Sequence, residues 1–125
     1  MKTEFLNIVL LDEIDFEELI VKFKKAFEID FVSKNEKGRL IAKGMNSLGD
    51  FKLIDKFDDL GDFLSDENHT LEIKINIDDT FKIEVFEDEI KKSFEKSNIK
   101  WKYGIWTKLT DFFDENRYLN PDSSS

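Results

Sequence analysis

The chain has 125 residues, a length suited to one domain that can bury a core without disulfide or metal staples. It is acidic, with 28 Asp and Glu against 19 Lys and Arg and a formal net charge of −9, and it has no Cys. Those facts exclude disulfides, thiolate chemistry and Cys-ligated metals, and they oppose general attraction to nucleic acid. Thirteen Phe supply large buried area per residue and argue against disorder.

At the start of the chain, Phe5 to Leu11 forms an apolar run broken only by Asn7. It reads as a central strand covered on both faces. The run is too short, and too acidic after Leu11, for a signal peptide or membrane span, so an intracellular, cytoplasmic protein is expected. Asp15 with Glu18 has capping-box spacing, and Phe16, Leu19, Ile20, Phe23 and Phe27 recur on one helical face. A meander of strands should follow. Ile29 and Phe31 alternate with polar neighbours, and Asn35-Glu36-Lys37-Gly38 is turn chemistry leading into Arg39 to Met45. Asn46 to Asp50 reads as a second turn, before Phe51, Leu53 and Phe57 at even spacing. Asp58 to Asn68 reads as a polar loop with one helical turn near Leu60, Phe63 and Leu64.

Thr70 to Ile77 is the clearest strand, with Leu71, Ile73, Ile75 and Ile77 on one face. Phe81 to Val85 fits a strand or a helix start, whereas Glu87 to Lys96 should be helical, with Glu87, Asp88 and Glu89 opening the helix. Ile99, Trp101, Tyr103 and Ile105 alternate as a strand with all four on the core side. Thr107 or Thr110 is placed to cap a short helix bearing Leu109, Phe112 and Phe113. The expectation is one α+β domain over residues 1–120. Its antiparallel-rich sheet has five to six strands with two to three helices packed on it, and a frayed tail covers 121–125.

Chemistry is hard to find. His69 is the only histidine and reads as a solvated loop residue at a strand start; its neighbours Ser65 and Asp66 do not make a triad, whose members come from distant segments. No carboxylate pair stands in an apolar setting that would raise a pKa. Gly61 fails as the glycine of a calcium loop, because the first and fifth ligand positions would be Lys56 and Leu60. The five Gly form no phosphate-cradling pattern. Lys100, Trp101, Lys102, Tyr103, Trp106 and Lys108 interleave bases with aromatics as single-strand binders do, but the aromatics are better placed as core. The expectation is therefore no catalytic site, no cofactor, no metal and no direct nucleic-acid or membrane partner.

The charge is unevenly placed. Residues 55–89 hold thirteen acids against Lys56, Lys74 and Lys82, whereas the other ninety residues hold sixteen basic and fifteen acidic groups. Asp55, Asp58, Asp59, Asp62, Asp66, Glu67, Glu72, Asp78 and Asp79 are accordingly the expected contacts for a basic partner, drawn in by electrostatic steering. The stretch from Phe57-Asp58-Asp59-Leu60-Gly61-Asp62-Phe63-Leu64 to Leu71-Glu72-Ile73-Lys74-Ile75, with the size, acidity and α+β character, resembles the immunity proteins of contact-dependent growth-inhibition systems. That resemblance implies a monomeric bacterial protein that binds one cognate toxin domain, often a nuclease. A DNA-mimic inhibitor is the alternative, and a small enzyme or adaptor the next.

Overall fold

The computed structural model describes residues 2–11, 14–36, 39–55, 68–107 and 117–120. The elements run β1 (Lys2–Leu10), α1 (Phe16–Phe27), β2 (Val32–Glu36), β3 (Arg39–Asn46), β4 (Gly49–Ile54), β5 (Thr70–Ile77), α2 (Ile83–Lys96), β6 (Trp101–Thr107) and β7 (Arg117–Leu119). The strands form one antiparallel sheet in the order β2-β3-β4-β5-β1-β6-β7. This is the expected α+β class, with seven strands and two helices among the described residues. The extra strand is β7, three residues long and carrying no pattern that marks it in the sequence.

The topology follows from β1. Both β5 and β6 pair antiparallel to it, so they run parallel to each other and need a crossover. α2 supplies that crossover, and α1 carries the chain from β1 to the far edge at β2. The covered face is built from residues at alternate positions. Leu6 and Ile8 of β1 stand opposite Ile73 and Leu71 of β5, which stand opposite Phe51 and Leu53 of β4. All six are buried.

Phenylalanine joins the helices to this face. Phe27 of α1 lies 4.9 Å from Phe51, and Phe94 of α2 lies within 6.0 Å of Phe23, Phe27 and Trp101 by ring centroid. Such aromatic pairs add about 0.5–1.5 kcal/mol each to the burial they provide.

Several local readings are corrected. β1 is not covered alike on its two sides: Phe5 and Asn7 are half-buried on the face away from the helices, although Val9 is buried. The strand after α1 starts at Val32, because Glu28 ends the helix in the left-handed region and Ile29 turns inward. Asp15 makes no side-chain capping bond; the Leu19 N–H bonds its main-chain carbonyl at 3.0 Å instead. α2 begins at Ile83, which decides the open reading of Phe81 to Val85 for a helix start, so Glu84 and not Glu87 is the acid of its first turn.

The even alternation of Ile99 to Ile105 also fails. A register shift beside Val9 and Leu10 puts Trp101 opposite Leu10 but Tyr103 opposite Val9, so one residue is extra. Trp101 and Trp106 are therefore both buried, while Tyr103 and Ile105 are only half-buried on the other face. Thr107 is the last residue of β6, and the short helix expected after it lies outside the described residues. Phe57, the 58–67 part of the loop reading, the Lys37-Gly38 turn, residues 108–116 and the tail lie outside the described residues.

Gly44 marks the tightest packing of a helix exit on the sheet. A Cβ there would collide with the Ile29 side chain and approach the Asp30 carbonyl to 3.0 Å. Gly44→Ala should lower stability by about 1–3 kcal/mol through overpacking. Urea denaturation followed by far-UV circular dichroism checks this.

Candidate functional site

The described acids from the expected interface do not come together. Asp55 follows β4 beside Ile54, which pairs with Thr70 at the start of β5. Asp78 and Asp79 follow Ile77 at its other end, about 23 Å along the strand for seven steps of about 3.3 Å. Glu72 lies between them, half-buried on the open face of the sheet opposite Lys52 and Asn7. Asp58, Asp59, Asp62, Asp66 and Glu67 lie outside the described residues. The segment's even polarity in sequence conceals this, because strand alternation and strand length distribute its charges over separate surfaces.

Two of the segment's groups are structural. His69 is not solvated: it is 1% exposed, and its ring packs 5.8 Å from Phe16. Its Nε2 lies 2.9 Å from the Ile14 carbonyl oxygen and its Nδ1 lies 3.1 Å from Asp55 Oδ1. A carbonyl only accepts, so Nε2 carries a proton and donates. Nδ1 faces the Asp55 carboxyl. The imidazole thus fastens the chain before α1 to the end of β4, and both its nitrogens are committed to protein groups. Glu87 is also buried, where its Oε2 accepts a 2.8 Å hydrogen bond from Trp106 Nε1. It belongs to the core and not to a helix-opening acidic run.

A contiguous site does form at the Asp78 end. A groove of about 540 Å³ lies between the β3–β4 turn and the first turns of α2, with Leu48, Asp78, Phe81, Lys82, Val85 and Glu89 among its walls. Lys82, Val85, Phe86 and Glu89 are spaced three and four apart, so they share one side of the helix. Val85 is 57% exposed, Phe81 is half-buried, and Asp78, Asp79, Glu84, Asp88 and Glu89 are all exposed. Only Lys82 opposes those five carboxylates before Lys91 and Lys92. Lys92 lies 3.0 Å from Asp88, and that contact raises the pKa of its ammonium.

The groove's floor is positioned by hydrogen bonds. Asn46 Oδ1 accepts from the Leu48 N–H at 2.8 Å, while its Nδ2 donates to the Phe27 carbonyl at 3.0 Å. The hairpin turn is thereby tied to the end of α1. On the opposite wall, Asp78 Oδ1 accepts from the Thr80 hydroxyl at 2.7 Å and from the Thr80 N–H at 2.9 Å. These bonds favour the charged form and hold the Asp78 carboxyl below its ordinary pKa. Asp78 and Asp79 had a signal in the sequence. Glu89 stood out only as one acid of the 55–89 segment, and Val85 had no signal, because its place on the groove depends on α2 starting at Ile83.

No family model matches the chain, and no curated protein or solved structure is similar enough to it to count as a relative. Among the described residues no helix is long and apolar enough to cross a membrane.

Two outcomes follow. His69→Ala removes a buried imidazole and leaves the Ile14 carbonyl and the Asp55 carboxyl without its contacts, at a cost of about 1–3 kcal/mol. Chemical denaturation measures it. Thr80→Val removes the hydroxyl donor, so the Asp78 pKa should rise toward the ordinary value of about 3.9. Because the folded pKa is the lowered one, this bond favours the folded state above the ordinary value and the benefit is lost as pH falls through the lowered one. An NMR titration of the Asp78 carboxyl carbon in both proteins reads the shift.

Proposed function

We propose that this chain is a cytoplasmic binding protein of the immunity type, which neutralises one basic, nuclease-type toxin domain by forming a one-to-one complex with it. The supporting observation is the groove at the β5–α2 junction, which combines an apolar strip, Phe81 and Val85, with exposed carboxylates at Asp78 and Glu89. A nuclease surface must be positive to hold phosphates, and a carboxylate-rimmed apolar groove complements a cationic surface with an apolar anchor. The rim gives fast, salt-sensitive encounter, and the apolar strip gives residence time.

On this reading the partner-binding set keeps Asp78 and Asp79 and gains Glu84 and Glu89. Asp55 and Glu72 leave it, since one is joined to His69 and the other lies on the open face. The chain acts by occupancy and needs no cofactor or metal. A DNA-mimic reading asks for an extended row of carboxylates on one face, whereas the groove has two, Asp78 and Glu89, beside the apolar Phe81 and Val85.

The experiment pairs the chain with the toxin domain of an effector encoded beside it. Co-expression should restore growth, and titration should give a single one-to-one complex. Asp78→Lys with Glu89→Lys should weaken binding at least about tenfold, or about 1.4 kcal/mol, mainly through a slower, less salt-sensitive association rate. Full protection and unchanged kinetics in that variant would remove this groove as the interface.

A further inference from the structure

The carboxylate groove joins charge to apolar surface closely enough to narrow what a basic partner presents to it. Asp78 and Glu89 line it with Leu48, Phe81 and Val85, and Lys82 is the cation among the lining residues. Among the described residues no lysine or arginine forms an ion pair with Asp78 or Glu89, and Lys92 is committed to Asp88 at 3.0 Å. Asp79, Glu84 and Asp88 are exposed nearby, so the field at the groove is negative and selects a positive occupant.

Three fixed features set the shape of that occupant. Val85 and Glu89 are four residues apart on α2, about 6 Å along its axis, so a stem lying on Val85 brings its charged end beside Glu89. The Phe81 ring stays half-buried at the groove wall, held there by Phe86 at 5.8 Å and Trp106 at 6.5 Å between centroids. Asp78 Oδ1 already accepts from the Thr80 hydroxyl and N–H, so this carboxylate is oriented before a partner arrives.

A long cationic side chain meets all three features at once. A lysine ammonium is a compact, strongly hydrated charge, and leaving water for an aromatic wall costs it more. A guanidinium is planar and more weakly hydrated. It can lie on the Phe81 ring while the N–H groups at its edge donate to a carboxylate. A metal ion fits worse, because no group of three or more carboxylate or histidine ligands gathers among the described residues.

We infer that the groove is an arginine-anchoring site. The basic partner inserts one arginine, with its methylenes on Val85, its guanidinium against Phe81 and its N–H groups directed to the Asp78 and Glu89 carboxylates. This inference rests on the basic-partner reading and adds the identity of the anchor. Lys82 competes with the incoming arginine.

The test follows backbone amide shifts of the full chain by NMR as acetyl-Gly-Arg-Gly-amide is added, beside the lysine and citrulline peptides of the same length. The arginine peptide should shift Ser47, Leu48 and residues 78–89 saturably and bind at least about threefold more tightly than the lysine peptide. The neutral citrulline peptide should not saturate. Asp78→Asn with Glu89→Gln should weaken arginine binding at least about tenfold, while asparagine still accepts the Thr80 bonds. Phe81→Leu should bring the arginine and lysine peptides to equal affinity, and Lys82→Gln should tighten both. If Phe81→Leu fails to fold by circular dichroism, the variants of the exposed Asp78 and Glu89 decide the matter. Equal affinity for arginine and lysine in the unaltered chain overturns the anchor and leaves the basic-partner reading standing. Absence of saturable shifts in the groove, or unchanged arginine binding in the Asp78→Asn, Glu89→Gln variant, also overturns it. Protection that persists in Asp78→Lys with Glu89→Lys, while the arginine peptide binds the unaltered chain, keeps the arginine site and removes it from the toxin interface.

Discussion

The placement of β1 between β5 and β6 constrains everything else in the molecule. Because both neighbours are antiparallel to β1, the chain cannot pass from β5 to β6 by a hairpin, and α2 has to cross over the sheet. The apolar positions of β1 and β5 lie on the same side, through the Leu6–Ile73 and Ile8–Leu71 pairs. Both α1 and α2 therefore pack on that side, and Phe94 and Phe27 bring them together over Phe51 and Trp101. The opposite side of the sheet keeps its polar residues. A slip of one residue in the β1–β5 register would exchange the two sides and destroy this division.

The surfaces that remain are consequences of that packing. Where β5 ends, the chain must climb to the helix layer, and the Asp78–Thr80 hydrogen bonds shape the climb. This leaves an opening between the turn at Ser47-Leu48 and the first turns of α2. Carboxylates and apolar side chains meet at that opening because the strand's polar end and the helix's amphipathic side converge there. The lysines of β2 to β5 gather for a different reason: they occupy the solvent-facing positions of strands whose other side is core. Strand alternation and strand length thus leave an acidic groove at the Asp78 end and lysines on the open face of β2 to β5.

Much of the fold was legible. The strict alternation of Thr70 to Ile77 marks β5 to the residue, and the three-and-four spacing of Phe16, Leu19, Phe23 and Phe27 marks α1. What stayed hidden depends on long-range contacts. The bulge at the start of β6 needs β1 beside it before Trp101 and Trp106 can share a side. β7 is too short for periodicity to show. His69 sits among charged residues and looks solvated, yet its ring is enclosed by Phe16, Ile14 and Asp55, which lie far off in sequence or before a helix. The site was legible only in part, for a related reason. Counting charge along the chain finds the acidic segment, but a strand turns consecutive acids to opposite sides and carries others to its far end. Asp78 and Asp79 survive that redistribution, whereas Asp55 and Glu72 do not.

The central claim is that cationic macromolecules meet this chain at the groove between the β3–β4 turn and α2. Backbone amide shifts during an NMR titration with a short polylysine test it most directly, because the probe reports attraction without assuming a partner. The account predicts that the largest shifts fall at Asn46 to Gly49 and Asp78 to Glu89 and fade with added salt. Shifts as large on the acids of α1, at Glu17, Glu18 and Glu28, with the groove no stronger than the rest, would contradict it.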